Sequence, residues 1–223
     1  MALCPFAFRE HMLTQPGSYK VGSNGAIHRV VVHHTGVKQD QIPNHAASAW
    51  YTWTAAAKAG KMVSAHFVVE TNGRIYQMVD TNDVAFGTAE YTRRAIHIEH
   101  AGNNEPFTRS QLHASALLIA WIRSISPDLS LDPVGTGLTD FGDKDQEGMT
   151  CHAFSDLAAI KFKMPYAPAT AKTSCPGTPM MGSLDLLARL ARNYASAVPT
   201  VTSPVGVAAA SFFDWSGGSP VSL

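Results

Sequence analysis

His33 closes a β-branched run, His152 sits in Thr150-Cys151-His152, and Cys175 in Thr173-Ser174-Cys175-Pro176-Gly177. Two imidazoles and a thiolate are donors that suit Zn(II). Three protein ligands leave a fourth position for water or a substrate oxygen, which is the layout of a catalytic rather than a structural site. Spacing alone does not demand a metal, because His33 is remote from the other two and the stretch between His152 and Cys175 matches no short zinc-finger pattern. A bland account stays open on composition: one histidine caps a strand, another satisfies a core hydrogen bond, and Cys175 is a small buried hydrophobe. A cysteine hydrolase would need a histidine and an Asn or Asp aimed at the thiol.

Any such site needs elements to hold it. Residues 27–32 (IHRVVV) read as a strand that runs into His33, His34, Thr35 and Gly36. Residues 44–59 are alanine-rich, start on a capping Asn44 and stop before Gly60, which predicts a helix. Residues 66–70 and 74–79 read as two strands joined through Asn72-Gly73, a hairpin signal. In the strand over 95–100, Ile96 and Ile98 share one face while His97 and Glu99 share the other, so a carboxylate points away from the apolar side.

Thr108 can cap a helix reaching Ile125, and residues 183–194 form the last helical pattern. Between them, 126–148 reads as a long loop, 153–160 as a short helix and 164–179 as a Pro-punctuated loop. Residues 197–223 are rich in Pro, Ser, Ala and Gly, a linker or tail whose Phe212, Phe213 and Trp215 could dock back. Trp50 and Trp53 suit the core, with a sugar groove as the alternative.

The chain has 223 residues, which suits one decorated domain. Its 17 Lys and Arg balance 17 Asp and Glu, so nothing favours nucleic acid as a partner. Charged residues interrupt the N-terminus before a signal-peptide core could form, and no apolar run is long enough to span a membrane. Three cysteines, Cys4, Cys151 and Cys175, argue against a disulfide framework. Cys4 and Cys151 could pair only if the N-terminus meets the His152 loop.

An ordered set of segments resembles the amidase-2 family of N-acetylmuramoyl-L-alanine amidases, which includes phage amidase endolysins and peptidoglycan recognition proteins. They are VVVHHTG at 30–36, VSAHFVVETNGRIYQMVD at 63–80, AIHIEHAGN at 95–103, FTRSQL at 107–112, and the pair CHAFSD and TSCPG. The resemblance implies an α/β fold, a central mixed β-sheet flanked by helices in a single domain. It places an N-terminal extension at 1–26, a zinc amidase domain at 27–196 and a linker or tail at 197–223.

It further implies one Zn2+ per chain on His33, His152 and Cys175, with Glu99 as the base that orients or deprotonates the water. Thr173 or Lys172 would steady the oxyanion, while His34, His66 and His97 would serve the substrate side. Which of His33 and His34 takes the metal is not decided by composition, and His66 and His97 also suit satisfied strand histidines. Two departures stand out. Ala65 occupies the place of a catalytic tyrosine found in some phage members, and Phe86-Gly87-Thr88-Ala89 replaces a Trp-His-Ala-Gly stretch, removing a histidine.

The expected substrate is bacterial peptidoglycan, cut between N-acetylmuramic acid and L-alanine by a monomer with no nucleic-acid or membrane partner. As a phage endolysin the chain would wait in the host cytoplasm until a separate pore releases it to the wall. The rival readings are an intracellular amidase that recycles anhydro-muropeptides and a non-catalytic peptidoglycan-binding module.

Overall fold

The computed structural model describes residues 3–22, 24–88, 93–131, 148–152 and 175–197. Seven strands occur among them: β1 (Tyr19–Lys20), β2 (Arg29–His34), β3 (Phe67–Val69), β4 (Ile75–Gln77), β5 (Val84–Ala85), β6 (Ala95–His100) and β7 (Gly148–Cys151). The helices are α1 (His45–Lys58), α2 (Arg109–Ile125), the short α3 (Thr178–Met181) and α4 (Leu184–Ala197). Five strands form one sheet in the order β4-β3-β6-β2-β7, and β1 pairs with β5 apart from it. Only the β3–β4 hairpin is antiparallel in the large sheet; β3, β6, β2 and β7 all run the same way. The mixed sheet with flanking helices is the architecture expected. The expected helix at 153–160 lies outside the described residues, as do most of the long loop and the tail.

Parallel strands are normally covered on both faces, and these are. Val30, Val32, Ile96, Ile98, Met149 and Cys151 join Leu118, Ile119 and Ile122 of α2 and Leu184, Leu187 and Ala191 of α4 in one core. On the other face Val68 packs with Ala46, Ala49 and Trp53 of α1, and with Leu13, Tyr76 and Met78. Trp53 is buried there, with Trp50 packed at the edge, so both tryptophans serve the core.

Local chemistry sets the helix starts. Asn44 is extended and accepts a hydrogen bond from the Ala47 N–H at 2.8 Å. Thr108 and Gln111 form a reciprocal capping box, and the buried Gln111 amide also donates to the Val69 and Ala101 carbonyls. That side chain ties the start of α2 to the ends of β3 and β6. At the β3–β4 turn Gly73 has φ +84, and an added Cβ would lie 3.0 Å from the Ser110 carbonyl oxygen, so both backbone and space require glycine.

The N-terminal segment is part of this packing. Phe8 bridges Tyr76, the Leu13 N–H donates to the Met78 carbonyl, and the Cys4 N–H donates to Gln77 Oε1. None of the three cysteines is in a disulfide. Cys4 and Cys151 lie in the same core, and burial pushes the Cys4 thiol up to about 12, which leaves it inert as a nucleophile.

Among the buried histidines, His66 and His100 are held as neutral rings. His100 Nδ1–H donates to the His33 carbonyl at 3.1 Å, and its Nε2 accepts from the Ser115 hydroxyl at 2.7 Å. Burial lowers both His66 and His100 from 6.5 to about 4. The folded state therefore refuses protons that the unfolded chain takes up below about 6.5. Stability is complete above that pH and declines as pH falls toward 4, by on the order of 3 kcal/mol per ring. Thermal melts of the chelator-treated chain should show Tm falling steadily from pH 7 to 4.5, with a shallower slope in His100→Asn. A flat Tm over that range would contradict it.

Candidate metal centre

Parallel register brings distant residues to one edge of the sheet. Val32 pairs with Cys151 of β7, and His33 pairs with Glu99 of β6. His152 follows Cys151 directly, so it arrives beside His33, and the two rings lie 5.0 Å apart. Val30 and Val32 are in the core with α2 and α4, so strand alternation turns His33, His97 and Glu99 toward the opposite face.

Cys175 comes from the turn before α3. Its Sγ lies 3.9 Å from His33 Nδ1 and accepts a hydrogen bond from the His34 N–H at 3.3 Å. One donor atom from each of His33, His152 and Cys175 falls within 4.8 Å of the other two. The three are thus close enough to converge on a single ion, and the donor set fits zinc by its chemistry. His33 and Cys175 are buried and His152 is half-buried. Burial lowers the pKa of His33 further than the neighbouring rings do, which keeps its imidazole neutral and able to ligate.

Glu99 meets this group from the adjacent strand. The residue as a whole is half-buried, but Oε2 is shut from water and has no hydrogen-bond partner among the described residues. Desolvation raises its pKa to about 8. A shift of that kind, at a carboxyl group in register with His33, marks Glu99 as a candidate functional group.

The remaining expected residues divide sharply. His34 is half-buried, with Nδ1 accepting from the Gly36 N–H at 2.9 Å, so it is His33 whose ring joins the donor group. His66 and His97, expected on the substrate side, are both fully buried, and His97 lies directly against His33. Thr173 and Lys172 lie outside the described residues. Ala65 is buried in the α1-side core. Sequence reading did not single out Gly87, whose backbone packs onto His97; its signal was the departure at 86–89.

A family model described as N-acetylmuramoyl-L-alanine amidase matches residues 23–178. Among solved structures, the fold is similar to N-acetylmuramoyl-L-alanine amidase LysC from Clostridium intestinale URNW (17% identity over 78% of this chain and 93% of that one, TM-score 0.50). It is also similar to Drosophila PGRP-LB (15%, 80% and 92%, TM-score 0.52) and to bumblebee PGRP-SA (14%, 81% and 94%, TM-score 0.53). No curated protein matches the chain. At these identities the likeness establishes the fold, and residue roles rest on the geometry above.

The donor group generates a direct expectation. Co(II) added to the chelator-treated chain should give a thiolate-to-cobalt charge-transfer band, and Cys175→Ser should lose that band and bind at least ~10-fold more weakly. An unchanged band in Cys175→Ser would exclude this thiol as a ligand.

Proposed function

Starting from the fact that the chain belongs to the N-acetylmuramoyl-L-alanine amidase family, we propose that it hydrolyses the amide between N-acetylmuramic acid and L-alanine in bacterial peptidoglycan. The observation that carries this reading is the convergence of His33, His152 and Cys175 next to Glu99, whose Oε2 is shut from water and without a hydrogen-bond partner among the described residues. His33, His152 and Cys175 would hold one zinc ion per chain, and that ion would supply Lewis acidity toward the scissile carbonyl and a bound water.

The protein's own part follows from the positions. Glu99 stands in register with His33, one strand spacing of roughly 4.8 Å away, and receives the proton lost by the attacking water. Desolvation makes it a stronger base than a surface glutamate, and a cation on the neighbouring donors would favour its ionised form. It then returns the proton to the departing alanine nitrogen, so acid and base are one group. A hydrogen-bond donor from Thr173 or Lys172 is assigned to the developing oxyanion. The Cys175 thiolate accepts the His34 N–H and faces His33, a ligand's setting rather than a nucleophile's.

Retention of all three donors favours an enzyme over a binding module of the same fold. We assign it the setting of a phage endolysin, held in the host cytoplasm until a pore opens the way to the wall. Among the described residues no helix is long and apolar enough to cross a membrane.

The test is digestion of purified peptidoglycan followed by mass spectrometry of the new ends. New L-alanine amino termini with free muramic lactyl groups are expected, and new reducing sugars would overturn the assignment. Glu99→Gln should lower the rate by ~100-fold or more while keeping zinc; full activity in that variant would remove Glu99 from the reaction.

A further inference from the structure

Resting on the metal reading above, we propose that His97 is the positioning residue for the ligand His33, and that Gly87 provides the space in which the His97 ring does this. His33 turns Nδ1 toward Cys175 Sγ, so ligation through Nδ1 leaves the single ring proton on Nε2. His33 Nε2 lies 3.1 Å from His97 Nδ1, and the rings are 5.3 Å apart. His33 therefore donates and His97 accepts. An N–H donated to a fixed acceptor sets both the orientation of a ligating imidazole and its basicity.

His97 is itself held from two sides. Its backbone N–H donates to His66 Nδ1 at 3.1 Å, which leaves the His66 proton on Nε2, and that nitrogen donates to the Asp83 carbonyl at 3.1 Å. The His66 and His97 rings lie nearly parallel, 9° apart in plane with centroids separated by 5.8 Å. From the other side comes the backbone at Gly87. A Cβ there would sit 2.3 Å from His97 Nδ1 and 2.4 Å from its Cγ, inside any real contact. The atom displaced would be the very nitrogen that accepts from His33. His97 and His66 are both 0% exposed, which denies either ring a direct contact with substrate.

The consequence reaches the metal without touching it. Removing the acceptor, or displacing it with a methyl group at position 87, should loosen His33 and weaken zinc binding. The experiment uses the full chain, competes it against a chromophoric chelator for zinc, and records Tm of the metal-free protein alongside. His97→Leu keeps comparable volume without an acceptor and should bind zinc about 10–100-fold more weakly. Gly87→Ala should fall in the same direction with His97 intact. His97→Asn, whose Oδ1 can stand where Nδ1 stood, should bind within about threefold of wild type, the rescue that lost packing alone would not produce.

Wild-type affinity in His97→Leu, or His97→Asn as weak as His97→Leu at equal metal-free Tm, would overturn the proposal. If His97→Leu does not fold, the comparison of Gly87→Ala with His97→Asn decides in the same way: equal affinities overturn it. Failure of the wild type to take up zinc would instead overturn the metal reading beneath it.

Discussion

Val32 is held opposite Cys151 on one side of β2, while His33 is held opposite Glu99 on the other. A slip of one residue on any of these strands would turn His33, Glu99 or His152 to the face occupied by α2 and α4, because side chains alternate with a period of two. The register is protected by what lies on that second face. Val30, Val32, Ile96, Ile98, Met149 and Cys151 are all fully buried against the helices, so a slip would expose or misplace a large part of the main core. The packing that stabilises the fold is thus the same packing that aligns the donors. Gln111 adds a polar clamp at that edge, joining the start of α2 to the carbonyls that end β3 and β6.

Placing the site on a doubly covered sheet has an electrostatic consequence. His33, His66, His97 and His100 are all nearly or fully buried, where a charged imidazolium would be costly. Burial lowers the pKa of His33, His66 and His100, and two of these rings find partners for both nitrogens: His100 bridges the His33 carbonyl and Ser115, and His66 bridges the His97 backbone and the Asp83 carbonyl. Neutral imidazole is also the form a metal needs. Glu99 experiences the same burial with the opposite sign, as desolvation raises its pKa and readies it to take a proton. One physical condition, exclusion of water at the strand ends, thus shifts both the imidazoles and the carboxyl group, in opposite directions.

Much of this was legible in the residues themselves. Asn44 and Thr108 announced their helices because capping is a local matter of one side chain and the first turn. The alternation in 95–100 placed Glu99 opposite to Ile96 and Ile98, as the sheet bears out. Less legible was whatever depends on distant partners. Gly148–Cys151 is a strand because β2 lies beside it; a four-residue stretch beginning with Gly carries no periodicity that could announce it. The N-terminal segment looked like an extension, yet Leu13 and Cys4 are core residues, since its single apolar side chains find pockets made by β4. His66 and His97 carry the strand pattern of groove residues, and only tertiary packing shows them to be sealed. The missing histidine at position 87 also reads differently once the fold is known, because the His97 ring fills the space beside it.

Strand register brings one sulfur and two imidazoles to the same edge of the sheet, and X-ray absorption spectroscopy of the zinc-loaded chain reads that donor set. One sulfur near ~2.3 Å, two imidazole nitrogens near ~2.0 Å and one further light atom are expected. A shell without sulfur, or one with two or more sulfurs, would contradict it.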